Sequence, residues 1–149
     1  MFAATACAAT LPSAARAETD ACTLLTPAQV SAAVGFPVGA GTHVTPTFVK
    51  TCTWTGSNAN GTQIVTLNLQ TAATYDGAKK GATMASRMGA SMKSAGIGDD
   101  SFYTVQGSQV TLEVKKGGAA FKVVIYKQMP TDQKEAMELK VAKEVMPKL

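Results

Sequence analysis

The chain has one histidine, three cysteines and one tryptophan in 149 residues, and charged side chains make up only 16% of it. A multi-histidine metal site is therefore excluded, and a four-cysteine zinc knuckle cannot be built. Aromatic residues are 6%, and none interleave with lysines as a stacking strip for single-stranded nucleic acid requires. No apolar run is long enough to cross a membrane.

What is present is a hydrophobic share of 46%, which argues against disorder, and 14 Lys+Arg against 10 Asp+Glu, a net charge of +4. The basic residues gather as Lys79, Lys80, Arg87 and Lys93, then as Lys115, Lys116, Lys122 and Lys127. Each group reads as a solvated face, with weak attraction to anionic envelope polymers or lipid headgroups as the alternative. No nucleic-acid partner is expected.

Residues 1–17 differ from the rest. Met1 to Leu11 is small and apolar, and Ala15-Arg16-Ala17 has the small-x-small form of a signal-peptidase site. The expectation is a signal peptide over 1–17 and a single domain over 18–149, exported to the periplasm or beyond. A disordered alanine-rich tail is the rival reading. Cys7, after Ala4-Thr5-Ala6, is a candidate lipid-anchor cysteine, and the membrane is expected as a partner only if it is lipidated. Cleavage leaves Cys22 and Cys52. An even count in an exported chain reads as a disulfide, worth roughly 3–4 kcal/mol at most, against the rival of two reduced, buried thiols.

Along the domain, Thr26, Pro27 and Gln29 signal a capped helix that Gly35 ends. Thr51 to Thr55 and Gln63 to Gln70 alternate as an antiparallel hairpin, with Val65, Leu67 and Leu69 on one face. Residues 75–93 take a helical period, with Met84, Met88 and Met92 on the same side as Gly77, Gly81 and Gly89. Glycine costs a helix about 1 kcal/mol, and close approach to a sheet is the simplest reason for three. Three strands follow: Ser101 to Val105, then Val110, Leu112 and Val114 inward, then Phe121, Val123 and Ile125 inward after the Gly117-Gly118 turn. A last helix, roughly Asp132 to Met146, is capped by Thr131. The order α-β-β-α-β-β-β-α predicts an α+β fold, with an antiparallel sheet of four to five strands packed against two to three helices.

Little of this carries chemistry. His43 stands in a Gly/Thr/Pro loop and reads as an exposed loop histidine. Asp99-Asp100 after Gly96-Ile97-Gly98 lacks the further oxygen ligands of a calcium loop and reads as a turn. Asn60-Gly61-Thr62 matches a glycosylation sequon. The Met84, Met88, Met92 stripe reads as core packing, or as the lining of an adaptable apolar pocket. If helices cover one sheet face only, Ile64, Thr66, Val124 and Tyr126 mark the open face as a ligand or partner platform.

Cys22-Thr23-Leu24-Leu25-Thr26-Pro27-Ala28-Gln29-Val30, Cys52-Thr53-Trp54, Gly96-Ile97-Gly98-Asp99-Asp100-Ser101-Phe102 and the Leu112 to Val124 hairpin recur together across the domain. In this the chain resembles a family of small exported bacterial proteins of unknown function, many of them lipoproteins and many from actinobacteria. The resemblance implies an extracytoplasmic location, a Cys22–Cys52 bridge and an α+β fold, and no catalytic residues. The expected function is a non-enzymatic envelope binding or accessory module, needing no cofactor and no metal, whose partner is an envelope protein. The alternative is a carrier for a small ligand or lipid with an apolar pocket beside the methionine helix. An enzyme working through Asp99 or Asp100 ranks last.

Overall fold

The computed structural model describes residues 18–59 and 61–149. The expected signal peptide, Cys7 and Asn60 of the sequon lie outside the described residues.

Asp20 opens the first helix, α1 (Ala21–Leu24), its Oδ1 accepting the Cys22 backbone N–H at 2.8 Å. Helix α2 (Pro27–Val34) has the full capping box. Thr26 Oγ1 accepts the Gln29 N–H, Gln29 Oε1 accepts the Thr26 N–H, and Gly35 closes the helix in the left-handed conformation (φ 73°). Strands β1 (Thr42–His43), β2 (Thr51–Asn58) and β3 (Gly61–Thr71) lead into α3 (Ala72–Ser86). Then come β4 (Ser91–Ser94), β5 (Asp100–Gln106), β6 (Gln109–Lys116), β7 (Ala119–Tyr126) and α4 (Thr131–Val145), which ends in a 3₁₀ turn, Met146–Lys148.

All neighbouring strands pair antiparallel in one sheet, in the order β1-β2-β3-β7-β6-β5-β4. The antiparallel α+β class stands, but the expected size does not. The described residues hold seven strands and four helices, rather than four to five strands and two to three helices. Two-residue β1 and four-residue β4 are too short to carry a period-two pattern, and α1 is a single turn. The helix expected over 75–93 stops at Ser86. The chain reverses at Gly89 (φ 100°), and Met92 continues the spacing of four by coincidence, inside β4. Thr131 begins α4 but makes no cap hydrogen bond.

One face of the sheet carries the main core. Trp54, Val65 and Ile125 form one cross-strand row, and Cys52, Leu67, Val123, Leu112 and Tyr103 form the next. Leu24 of α1, Val30 and Val34 of α2, and Val141, Ala142 and Val145 of α4 cover these rows. Every inward residue expected on β3, β6 and β7 is buried. Cys22 and Cys52 form a disulfide that fastens α1 to β2, so the rival reading of two free thiols is set aside. No helix among the described residues is long and apolar enough to cross a membrane.

Candidate functional site

The opposite face has one helix over it. Thr53, Thr66 and Val124 are cross-strand neighbours, as are Thr55, Ile64 and Tyr126. Ile64, Thr66, Val124 and Tyr126 therefore meet on the β3–β7 pair, as paired residues Ile64 with Tyr126 and Thr66 with Val124. Val124 is buried, Ile64 and Thr66 are half-buried, and Tyr126 is 47% exposed.

The methionines do not share this surface. Met84, in the last turn of α3, is 67% exposed and Met88, in the turn after it, 88%, so neither is core; of the three only Met92, on β4, packs beside the Tyr75–Phe102–Ala120 cluster. Nor do the glycines bring α3 close to the sheet. A Cβ placed on Gly77, Gly81 or Gly89 would meet nothing within 4 Å. Helix α3 is anchored at its first turns, where Tyr75 is buried against Phe102 with ring centroids 5.4 Å apart. Lys79 of α3 also pairs with Asp100 of β5, and Lys115 of β6 with Asp76 at 2.8 Å.

Beyond that anchor, small residues leave a cleft of about 260 Å³ between α3 and the sheet. Ala78, Gly81 and Ala82 form its roof, and Phe102, Thr104 and Glu113 its floor. Alternation places Glu113 on the outward face, as expected, but it is only 6% exposed. Its Oε2 has no hydrogen-bond partner among the described residues. Burial raises this carboxyl from its ordinary 4.5 to about 7, against the opposing pull of Lys122 across the strand and of Gln70. A buried acid with an idle oxygen in an apolar cleft is unusual enough to mark a binding position. The sequence offered one faint signal, a lone acid amid the apolar residues of β6.

A second cluster lies on the other side of the molecule. His43 is not an isolated loop histidine. Strand β1 sets it opposite Cys52, and its Nε2 lies 2.8 Å from Asp20 Oδ1 with both side chains partly buried. The hydrogen bond with His43, more than that from the Cys22 N–H, holds the Asp20 carboxyl below its usual range. Asp20 and His43 are 23 residues apart, and they meet because β1 pairs with β2 while the Cys22–Cys52 bridge holds α1 against the same strand.

Asp99 and Asp100 diverge. Asp99 Oδ2 accepts the Gly117 N–H at 2.6 Å and so braces the β6–β7 turn, while the Lys79 ammonium lowers the Asp100 carboxyl. No protein-family model, curated protein or solved structure matches this chain. The functional reading therefore rests on the α3 cleft, the open threonine face beside it, and the Asp20–His43–cysteine cluster.

Proposed function

We propose that this chain is a non-enzymatic binding module of the cell envelope, exported by its first 17 residues, which takes a small amine with an apolar body under α3. The idle, buried Glu113 oxygen in an alanine-lined cleft carries this reading. An ammonium group supplies both the charge and the donors that a desolvated carboxylate lacks, and the alanine roof accepts a short hydrocarbon. The cysteine, tryptophan and Gly-Asp motifs, in their resemblance to exported bacterial proteins, support export.

Calorimetric titration with hexylamine, with hexanol as the uncharged control, tests the cleft. Hexylamine is expected to bind, more tightly at pH 8 than at pH 6, and Glu113→Gln is expected to abolish binding. Equal binding of the two compounds, or an unchanged Glu113→Gln variant, overturns the reading. N-terminal sequencing of protein recovered from the envelope tests export, with Glu18 expected as the first residue.

A second reading, a protein partner on the open face, draws on the half-buried Ile64 and Thr66 and the exposed Tyr126, which stand together on the β3–β7 pair. Tyr126→Lys separates the two, because it blocks that face and leaves the hexylamine response intact.

A further inference from the structure

We infer that reducing the Cys22–Cys52 bridge creates a site for one zinc ion, held by Cys22, Cys52, His43 and Asp20. The four side chains come from three segments distant in sequence: the first turn of α1, β1 and β2. A carboxylate oxygen of Asp20, a ring nitrogen of His43 and the Cys22 sulfur all lie within 4.8 Å of one another, and the Cys52 sulfur is bonded to that of Cys22. Ligands about 2.0–2.3 Å from a tetrahedral ion stand about 3–4 Å from each other. The Asp20, His43 and Cys22 donors need only a small closure to reach that spacing, and reduction frees the Cys52 sulfur to move out to it from its bond with Cys22.

The backbone holds the donors in place without a metal. Pairing of β1 with β2 sets His43 opposite Cys52, the two cysteine Cα atoms are 4.9 Å apart, and the Cys22 N–H pins Asp20. Two thiolates, an imidazole and a carboxylate suit zinc, whereas calcium and magnesium call for oxygen donors. The composition that excludes a four-cysteine or multi-histidine centre leaves this mixed set available.

A further observation comes from Trp54. Its indole N–H is buried without a hydrogen-bond partner among the described residues. A Cβ on Gly41 would lie 2.6 Å from Cys52 Sγ and 2.8 Å from Trp54 Nε1, which puts the orphan donor and the sulfur against the same spot. A disulfide sulfur is a poor acceptor. A metal-bound thiolate accepts readily, and outer donors of this kind orient thiolate ligands.

The chemistry balances. A dithiol reductant gives two electrons and two protons to the bridge, yielding two protein thiols and its own disulfide. Zinc then displaces the two thiol protons and binds both thiolates. The metal takes over the tie between α1 and β2 that the bridge made.

The test is zinc titration of the full chain against a chromophoric chelator, oxidised and with a phosphine reductant, together with cobalt spectra of the reduced form. One ion per reduced chain and none per oxidised chain are expected, with tetrahedral cobalt bands and thiolate charge transfer. His43→Ala and Asp20→Ala are each expected to weaken binding at least tenfold, and a Cys22→Ser, Cys52→Ser double variant to bind no zinc. If the reduced apo chain loses its fold, zinc is expected to restore the strand signal in circular dichroism. Three outcomes overturn the inference: no tighter binding than by the double variant, unchanged cobalt spectra in both single variants, or failure of zinc to restore a lost fold.

Discussion

Glu138 Oε1 accepts the backbone N–H of Ile125 at 3.1 Å, deep in the core. The pairing of β6 with β7 runs from Lys116–Ala119 to Leu112–Val123 and goes no further, so a side chain takes up the amide that β6 leaves. Glu138 is fully buried and its Oε2 has no partner among the described residues. Burial raises its carboxyl from 4.5 to about 8, more than the Ile125 N–H and nearby Lys134 lower it.

Glu113 and Glu138 thus bind protons more tightly when folded than when unfolded. Their favourable contribution is complete below about pH 4.5 and fades as pH rises through about 7 and 8. Urea unfolding at several pH values is expected to show stability falling across this window, with a slope of up to about 1.4 kcal/mol per pH unit for each proton. Glu138→Gln is expected to flatten the upper part of the slope, and an unchanged slope in that variant would falsify the assignment.

Removing the disulfide is expected to destabilise the domain. The bridge closes a loop across a sequence separation of 30, for which chain entropy gives about 3–4 kcal/mol. Cys22→Ser with Cys52→Ser is expected to lower the unfolding free energy in metal-free buffer by an amount of that order, measured by urea unfolding.

Two glycines make opposite predictions. Gly98 has φ 65°, and a Cβ there would stand 2.5 Å from the Lys115 carbonyl oxygen; Gly98→Ala is expected to cost about 1–3 kcal/mol. Gly77 lies within α3 with nothing near its missing Cβ, so Gly77→Ala is expected to stabilise by about 0.5–1 kcal/mol. Thermal melts of both variants read the contrast directly.

The Thr26 cap gives a smaller effect. Thr26→Ala removes the acceptor for the Gln29 N–H and is expected to cost about 1 kcal/mol, measured by denaturant midpoint.

What the sequence made legible follows from the range of each signal. The alternation of Val65, Leu67 and Leu69, or of Phe121, Val123 and Ile125, lies within one strand and reads directly as a buried face. The capping box spans four residues and reads equally well. Strand β1 exists only because β2 is beside it, and Asp20 meets His43 through that pairing together with the bridge that holds α1 to β2. Glu113 alternates outward like any surface acid, and its burial depends on α3, which arrives from elsewhere in the chain. The methionine spacing misled because a period of four continues through a turn as readily as along a helix.

The strand order has a consequence for how the molecule can be divided. The chain passes from β1–β3 to β4–β7 once, through α3, while β3 and β7 join the two halves side by side along eight residue pairs. Most of the last two turns of α3 and the bend after it stand open to solvent, with Arg87 exposed among them. A single cut there leaves two fragments zipped together by backbone hydrogen bonds, which makes this helix a natural place to split the protein into complementing halves.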